Sequence, residues 1–264
     1  MAATGACVIL PAPMRPLLSL LLLLPGCVNF HSFERQRQGP AVVEAAAPAR
    51  PQWQTIGTSV EGRPLRTLRL GHGPRRVLWV GGIHGDEREG AVATDGLPHE
   101  FLNLPGAADA VTLTILEDVN PDGSAANTRA NSNRVDLNRN YPARNFVASA
   151  SNGQSPLDQP EARALHDLLL AERPHLVIVA HAWRGDHFIN FDGPAERHAQ
   201  LFSQRSGYRV KPSDKIAPTP GSLGSWVGRT LGTPILTLEY ERGADPRSVW
   251  LDTREAILAV ILTE

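Results

Sequence analysis

Val77-Leu78-Trp79-Val80-Gly81-Gly82-Ile83-His84-Gly85-Asp86-Glu87 decides how this chain is read. An apolar run of this length, closed by glycines, is the pattern of a strand buried on both faces of a sheet. The turn behind it carries an imidazole and a carboxylate three residues apart. Such a turn can aim His84 and Glu87 at one point, as two of the three protein ligands of a catalytic metal would be aimed. The plainer alternative is a turn in which Glu87 opens a helix as a favourable N-terminal charge.

Outward from this stretch, short apolar runs alternate with helical periodicity. Strands are expected at 65–70, 76–83, 110–116, 176–180, 187–191 and 234–239, and helices at 88–97, 161–171, 195–206, 221–231 and 245–262. Asn120-Pro121-Asp122-Gly123 is a strong turn signal, and Asp158-Gln159-Pro160-Glu161 reads as a helix start with Pro in the first turn. The alternation predicts an α/β fold, a mixed and mostly parallel sheet flanked by helices on both faces. In such sheets sites gather at the carboxyl ends of strands. His84, Asn120, His181 and Glu239 all fall at or just beyond expected strand ends.

Composition narrows the chemistry. A formal net charge of −1 over 264 residues leaves no basic footprint, so nucleic acid is not an expected partner. The two cysteines, Cys7 and Cys27, lie near the N-terminus, so any metal in the body of the chain must be held by His and carboxylates. Arg15 followed by the apolar run Leu17–Leu24 reads as a signal peptide, too short to span a bilayer as a helix. It ends in Leu24-Pro25-Gly26-Cys27, similar to a bacterial lipobox apart from Pro25, with Met14 the more natural start. The expectation is an exported protein, periplasmic or anchored to the membrane through a lipidated Cys27. Residues 1–27 form the signal, 28–51 a flexible Arg, Gln, Ala and Pro-rich linker, and 52–264 the catalytic domain.

Three further stretches carry candidate chemistry. His181 closes Leu176-Val177-Ile178-Val179-Ala180, where it is either a satisfied core histidine or a third metal ligand. Thr128 to Pro142 is too rich in Arg and Asn for a core element. Within it Arg139, beside Asn138, can clamp a carboxylate bidentately, and Arg129 can stabilise an oxyanion, unless the whole stretch is a solvated loop. Glu239, in Leu236-Thr237-Leu238-Glu239-Tyr240-Glu241, is either a surface acid or a general base, with Glu241 on the same strand face.

Together, HGDE at His84–Glu87, NPDG at Asn120–Gly123, DLNRNYP at Asp136–Pro142, His181 and LTLEYE around Glu239 resemble the zinc carboxypeptidases of the carboxypeptidase A type, from about Gln52 onward. The resemblance implies one zinc per chain on His84, Glu87 and His181, with Glu239 as general base and Arg129 on the oxyanion. It also implies Asn138 and Arg139 on the substrate's terminal carboxylate, with Arg134 a nearby competitor for the role of Arg129. Asp86 is then a turn residue or a support. The compact length and the Pro/Gly-rich segment Ala217–Ser225 running into Trp226 look most like the murein peptide amidase branch. That branch cuts the γ-D-glutamyl–meso-diaminopimelate bond of peptidoglycan peptides. The mobile Tyr of the digestive members has no counterpart, since Tyr208 and Tyr240 do not match its position. The rival expectations are a general carboxypeptidase, an aspartoacylase-like N-acyl amino acid deacylase, and a non-catalytic wall-binding protein.

Overall fold

The computed structural model describes residues 51–264 except Asp214, Lys215 and Ala217. The expected signal segment 1–27, with Met14 and Cys27, lies outside the described residues, as does the linker 28–51 apart from Pro51. The described strands are β1 (Gln54–Thr58), β2 (Pro64–Leu70), β3 (Arg75–Val80), β4 (Val111–Leu116), β5 (Leu176–Trp183), β6 (Phe188–Asp192), β7 (Arg209–Pro212) and β8 (Ile235–Glu241). They form one sheet in the order β1-β2-β4-β3-β5-β8-β6-β7. The central β4-β3-β5-β8 pairs are parallel, and β2 and β6 join them antiparallel on either side. The helices are α1 (Ala91–Asn103), α2 (Ala107–Ala110), α3 (Pro121–Ala126), α4 (Pro160–Glu172), α5 (Glu196–Ser206) and α6 (Pro246–Leu262).

Strand alternation divides the interior into two cores. Trp79, Ile178, Ala180, Leu236, Leu238 and Tyr240 face α1, α5 and α6, while Leu78, Val80, Val177, Val179 and Ile235 face α4 and the long loops. His181 and Glu239 share the parity of the second set. They therefore point to the loop-covered face. This is the mixed, mostly parallel sheet with helices on both sides that the sequence predicts.

Several boundaries differ from expectation. β3 stops at Val80 and Ile83 lies in the turn, because Gly82 takes φ 63°, a region costly for other residues. β5 and β8 run longer than predicted because they pair in register as far as Trp183 and Glu241, so His181, expected just beyond a strand, and Glu239, expected at a strand end, both lie inside strands. α1 starts at Ala91 rather than 88 and continues past Pro98. The NPDG turn opens the short helix α3, with the Asn120 side chain accepting from Gly123 N. The helix expected over 221–231 is a π-helical segment, Ser225–Thr230, in which Leu231 N donates to Trp226 O. β1, β7 and α2 escaped the sequence reading; β7, Arg-Val-Lys-Pro, is too short to show a period.

Candidate metal centre and substrate cleft

Two turns at the carboxyl end of the sheet are zipped together by their backbones. Gly81 N donates to Leu116 O, while Val119 N and Asn120 N donate to Gly81 O and Gly82 O. A Cβ on Gly85 would sit 2.0 Å from Gly123 C, so HGDE and NPDG touch where no other side chain fits. Asn120 Nδ2 in turn donates to Arg129 O at 3.1 Å, and Asp122 accepts from Ser59 Oγ at 2.7 Å and Glu61 N at 3.0 Å. NPDG thus holds the frame around the chemistry and stays out of the cleft.

His84, Glu87 and His181 are buried, and each offers a ligand atom within 4.8 Å of the others. His84 Nδ1 lies 2.9 Å from Glu87 Oε1, and His181 Nδ1 lies 2.8 Å from Glu87 Oε2, which also accepts from Ala182 N at 3.0 Å. The outer ring nitrogens are held as well: His84 Nε2 is 3.0 Å from Asp136 Oδ1, and His181 Nε2 is 3.2 Å from Asn138 Nδ2. Burial works against the Glu87 carboxylate, but the His181 and His84 contacts outweigh it and hold it well below the usual carboxylate range. Asp136 is depressed in the same way: burial opposes its charge and the bond to His84 prevails. Two imidazoles and a carboxylate, with supported outer nitrogens and no thiolate, form the donor set that zinc takes in sites with an open position. The residues fit the metal.

A cleft of about 100 Å³ opens beside this cluster, lined among others by Glu87, Arg129, Asn138, Arg139, His181 and Glu239. Glu239 pairs in register with His181 on the neighbouring strand, and burial pushes its carboxyl up from the ordinary value. Arg129 Nε donates to Asp136 Oδ2 at 3.0 Å and its NH1 to Glu87 Oε1 at 3.1 Å. Arg134 is exposed, takes φ 61° and is not among the lining residues of the cleft, whereas Arg129 is. Asn138 is anchored through its amide oxygen, which accepts from Leu223 N at 2.9 Å, while its Nδ2 lies against His181. It therefore positions the histidine as well as facing the cleft. Arg139 NH1 donates to Asn138 O at 2.7 Å, which fixes the guanidinium at the cleft wall.

Three contributors went unassigned in the sequence. Asp136 was quoted within DLNRNYP without a role; its place two residues before Asn138 was the available signal. Asp192 lines the far cleft wall, accepting from Ser213 Oγ at 2.7 Å and Arg229 Nε at 2.8 Å, and no motif pointed to it. Trp226 stacks on Tyr141 at 5.8 Å and on His166 at 4.8 Å, so the Pro/Gly-rich segment is pinned against DLNRNYP from behind. Tyr208 and Tyr240 lie in the core on the opposite face of the sheet.

Fold and site together define a metal-dependent hydrolase acting on peptide-like bonds. The chain belongs to the zinc carboxypeptidase family, whose profile it matches over residues 41–242. It is 28% identical over 202 residues to murein peptide amidase A of Vibrio campbellii, covering 70% of this chain and 77% of the relative. The corresponding Escherichia coli enzyme is 29% identical over 209 residues, with 72% and 81% covered. The crystal structure of murein-tripeptide amidase from Escherichia coli superposes with a TM-score of 0.67 at 25% identity, covering 81% of this chain and 93% of that one. The protein is a zinc-family peptidase or amidase, and its fold is theirs.

Proposed function

We propose that this enzyme hydrolyses the γ-D-glutamyl–meso-diaminopimelate bond of peptidoglycan peptides. The observation that carries the reading is the convergence of His84, Glu87 and His181 within 4.8 Å at a cleft that also holds Glu239 and Arg139. Likeness to murein peptide amidases supports the choice of substrate. Asp192 on the far wall suits the ammonium of a diamino acid, with Arg229 sharing its charge.

In this proposal His84, Glu87 and His181 hold one zinc, with Asp136 and Asn138 fixing the ring orientations. Zinc held there supplies a Lewis acid toward the scissile carbonyl and lowers the pKa of an attacking water. Glu239, with its carboxyl raised by burial, takes the proton from that water and hands it to the leaving amine. Arg129 donates to the oxyanion. Arg139 and Asn138 hold the free carboxylate of the leaving residue and thereby set which bond lies beside Glu239. The apolar Leu17–Leu24 run and Cys27 support export, with the enzyme at the wall as a periplasmic protein or lipoprotein.

Mass spectrometry of muropeptides digested with the zinc-loaded protein tests the reading. The expected products end at γ-D-glutamate on one side and begin with diaminopimelate on the other. Release of C-terminal D-alanine or of an N-acyl group instead would replace the proposal with a general carboxypeptidase or a deacylase.

A further inference from the structure

The strand ends that build the cleft also build a second basin beside it. β5 ends at Trp183 and β8 at Glu241, paired in register, and Arg242 N donates to Trp183 O at 2.8 Å. The two carboxyl ends therefore bring Trp183, Arg184 and Arg242 together around a basin of about 310 Å³, with Arg129, Asp86 and Glu87 also in its lining. Arg242 is anchored, donating to Asp86 Oδ2 and lying 3.5 Å from Glu87 Oε1. Arg184 is exposed, and among the described residues no carboxylate pairs with it. Arg129 is already paired with Glu87 and Asp136 and Arg242 with Asp86, so Arg184 brings the uncompensated positive charge, while Glu87 belongs to the set proposed to hold a divalent cation. The balance favours an anion.

The basin shares Glu87, Arg129, Ala182 and Trp183 with the substrate cleft. This shared wall lets a substrate whose leaving residue is held by Arg139 extend its acyl side into the basin. We propose that Arg184 and Arg242 form an anion subsite that reads a free carboxylate on the acyl residue of the substrate. The identity of that residue rests on the γ-glutamyl reading above. When the scissile carbonyl is the γ-carboxyl carbon of glutamate, the free α-carboxylate lies four carbon–carbon bonds away, about 5 Å when extended. A guanidinium recognises such a group by charge and by paired hydrogen bonds, and Trp183, 41% exposed, offers an apolar wall for the methylene chain between. Amidating the α-carboxylate keeps the shape and removes the charge, so it separates the two contributions.

The test compares two stem peptides that differ only in carrying a free α-carboxylate or an α-carboxamide on the γ-linked D-glutamate. The zinc-loaded enzyme is expected to show a kcat/KM about tenfold or more higher for the free carboxylate. Arg184→Gln and Arg242→Gln are each expected to shrink that ratio to within about threefold. Arg242→Gln also releases Asp86, so Arg184→Gln is the cleaner variant. The ratio is the readout, because damage to the fold or the metal site lowers both substrates alike. Equal turnover of the two substrates by the unaltered enzyme, or an unchanged ratio in both variants, overturns the subsite. If neither γ-linked substrate is cut, the proposed bond is wrong, and the subsite is then read by calorimetry with N-acetyl-D-glutamate and its α-carboxamide. Tighter binding of the carboxylate, lost in Arg184→Gln, upholds the subsite even so; equal affinity overturns it.

Discussion

The two faces of the central sheet are made by alternate residues of the same strands, yet they do opposite things. Along β8, Leu236, Leu238 and Tyr240 disappear into an apolar core beneath α1, α5 and α6, while Thr237, Glu239 and Glu241 turn to the other face. Along β5, Ala180 and Ala182 go one way and His181 the other. The helix-covered face buries two tyrosines, Tyr208 and Tyr240, in an apolar core, with His187 packed against Tyr208. The loop-covered face concentrates carboxylates, imidazoles and guanidinium groups within a few ångströms. One sheet can therefore carry an apolar core and a polar site in adjacent positions, because a strand separates its neighbours by pointing them apart.

Neighbouring substitutions in β8 should break this contrast most sharply. Glu239→Gln is expected to lower turnover by about a thousandfold while zinc content is retained and the melting temperature does not fall, since the variant no longer buries a charge that burial disfavours. Leu238→Ala, one residue away, is expected to cost about 2–5 kcal/mol of stability with turnover per folded molecule retained. Metal analysis, steady-state kinetics and thermal melts on both variants check the pair. Loss of zinc in the first, or loss of turnover without loss of stability in the second, would contradict the division of labour.

A second comparison sharpens the loop-covered face itself. Arg129 and Arg134 lie in one polar stretch, but only Arg129 reaches Glu87 and Asp136. Arg129→Ala should reduce kcat by about a hundredfold, the loss typical of an oxyanion donor, and Arg134→Ala should leave it within about twofold. Equal losses would mean the stretch acts only through its fold.

The smallest expected effect is electrostatic and belongs to metal-free protein. Glu87 sits below its ordinary 4.5, so its contribution to stability is complete above about pH 4.5 and is lost as pH falls through the depressed value. Burial pulls His84 down, but Asp136 and Glu87 outweigh it and raise it above 6.5. Its contribution is complete below about pH 6.5 and is lost as pH rises through the folded value. Chelator-treated protein should therefore melt highest between these two values, and zinc should abolish the His84 limb because a ligand must be deprotonated. A melting profile indifferent to zinc above pH 6.5 would argue that the cluster does not bind the metal.

Much of this was legible in the chain. Continuous apolar runs announced β3 and β5 because strands buried on both faces must be apolar throughout, and HGDE, DLNRNYP, His181 and Glu239 stood out as polar groups against those patterns. The periodicity of 221–231 predicts an ordinary helix, because residue type does not reveal the i→i+5 bond of Ser225–Thr230, where Gly228 packs closely against Asp192 and Gly193.

The sequence by itself determined the order of the central strands and the longer helices and the donor types available in the body of the chain, because these follow from local periodicity and composition. Tertiary structure decided which donors meet. His181 stands beside Glu239 only because β5 and β8 pair in register, and Arg129, whose carbonyl accepts from Asn120, is the arginine of its stretch that reaches Glu87 and Asp136. Asp192, Arg184 and Arg242 reach the cleft and its neighbouring basin through crossovers of the sheet, which no short stretch of sequence encodes. Contacts between distant residues depend on register and packing, and those are settled only when the whole chain is folded.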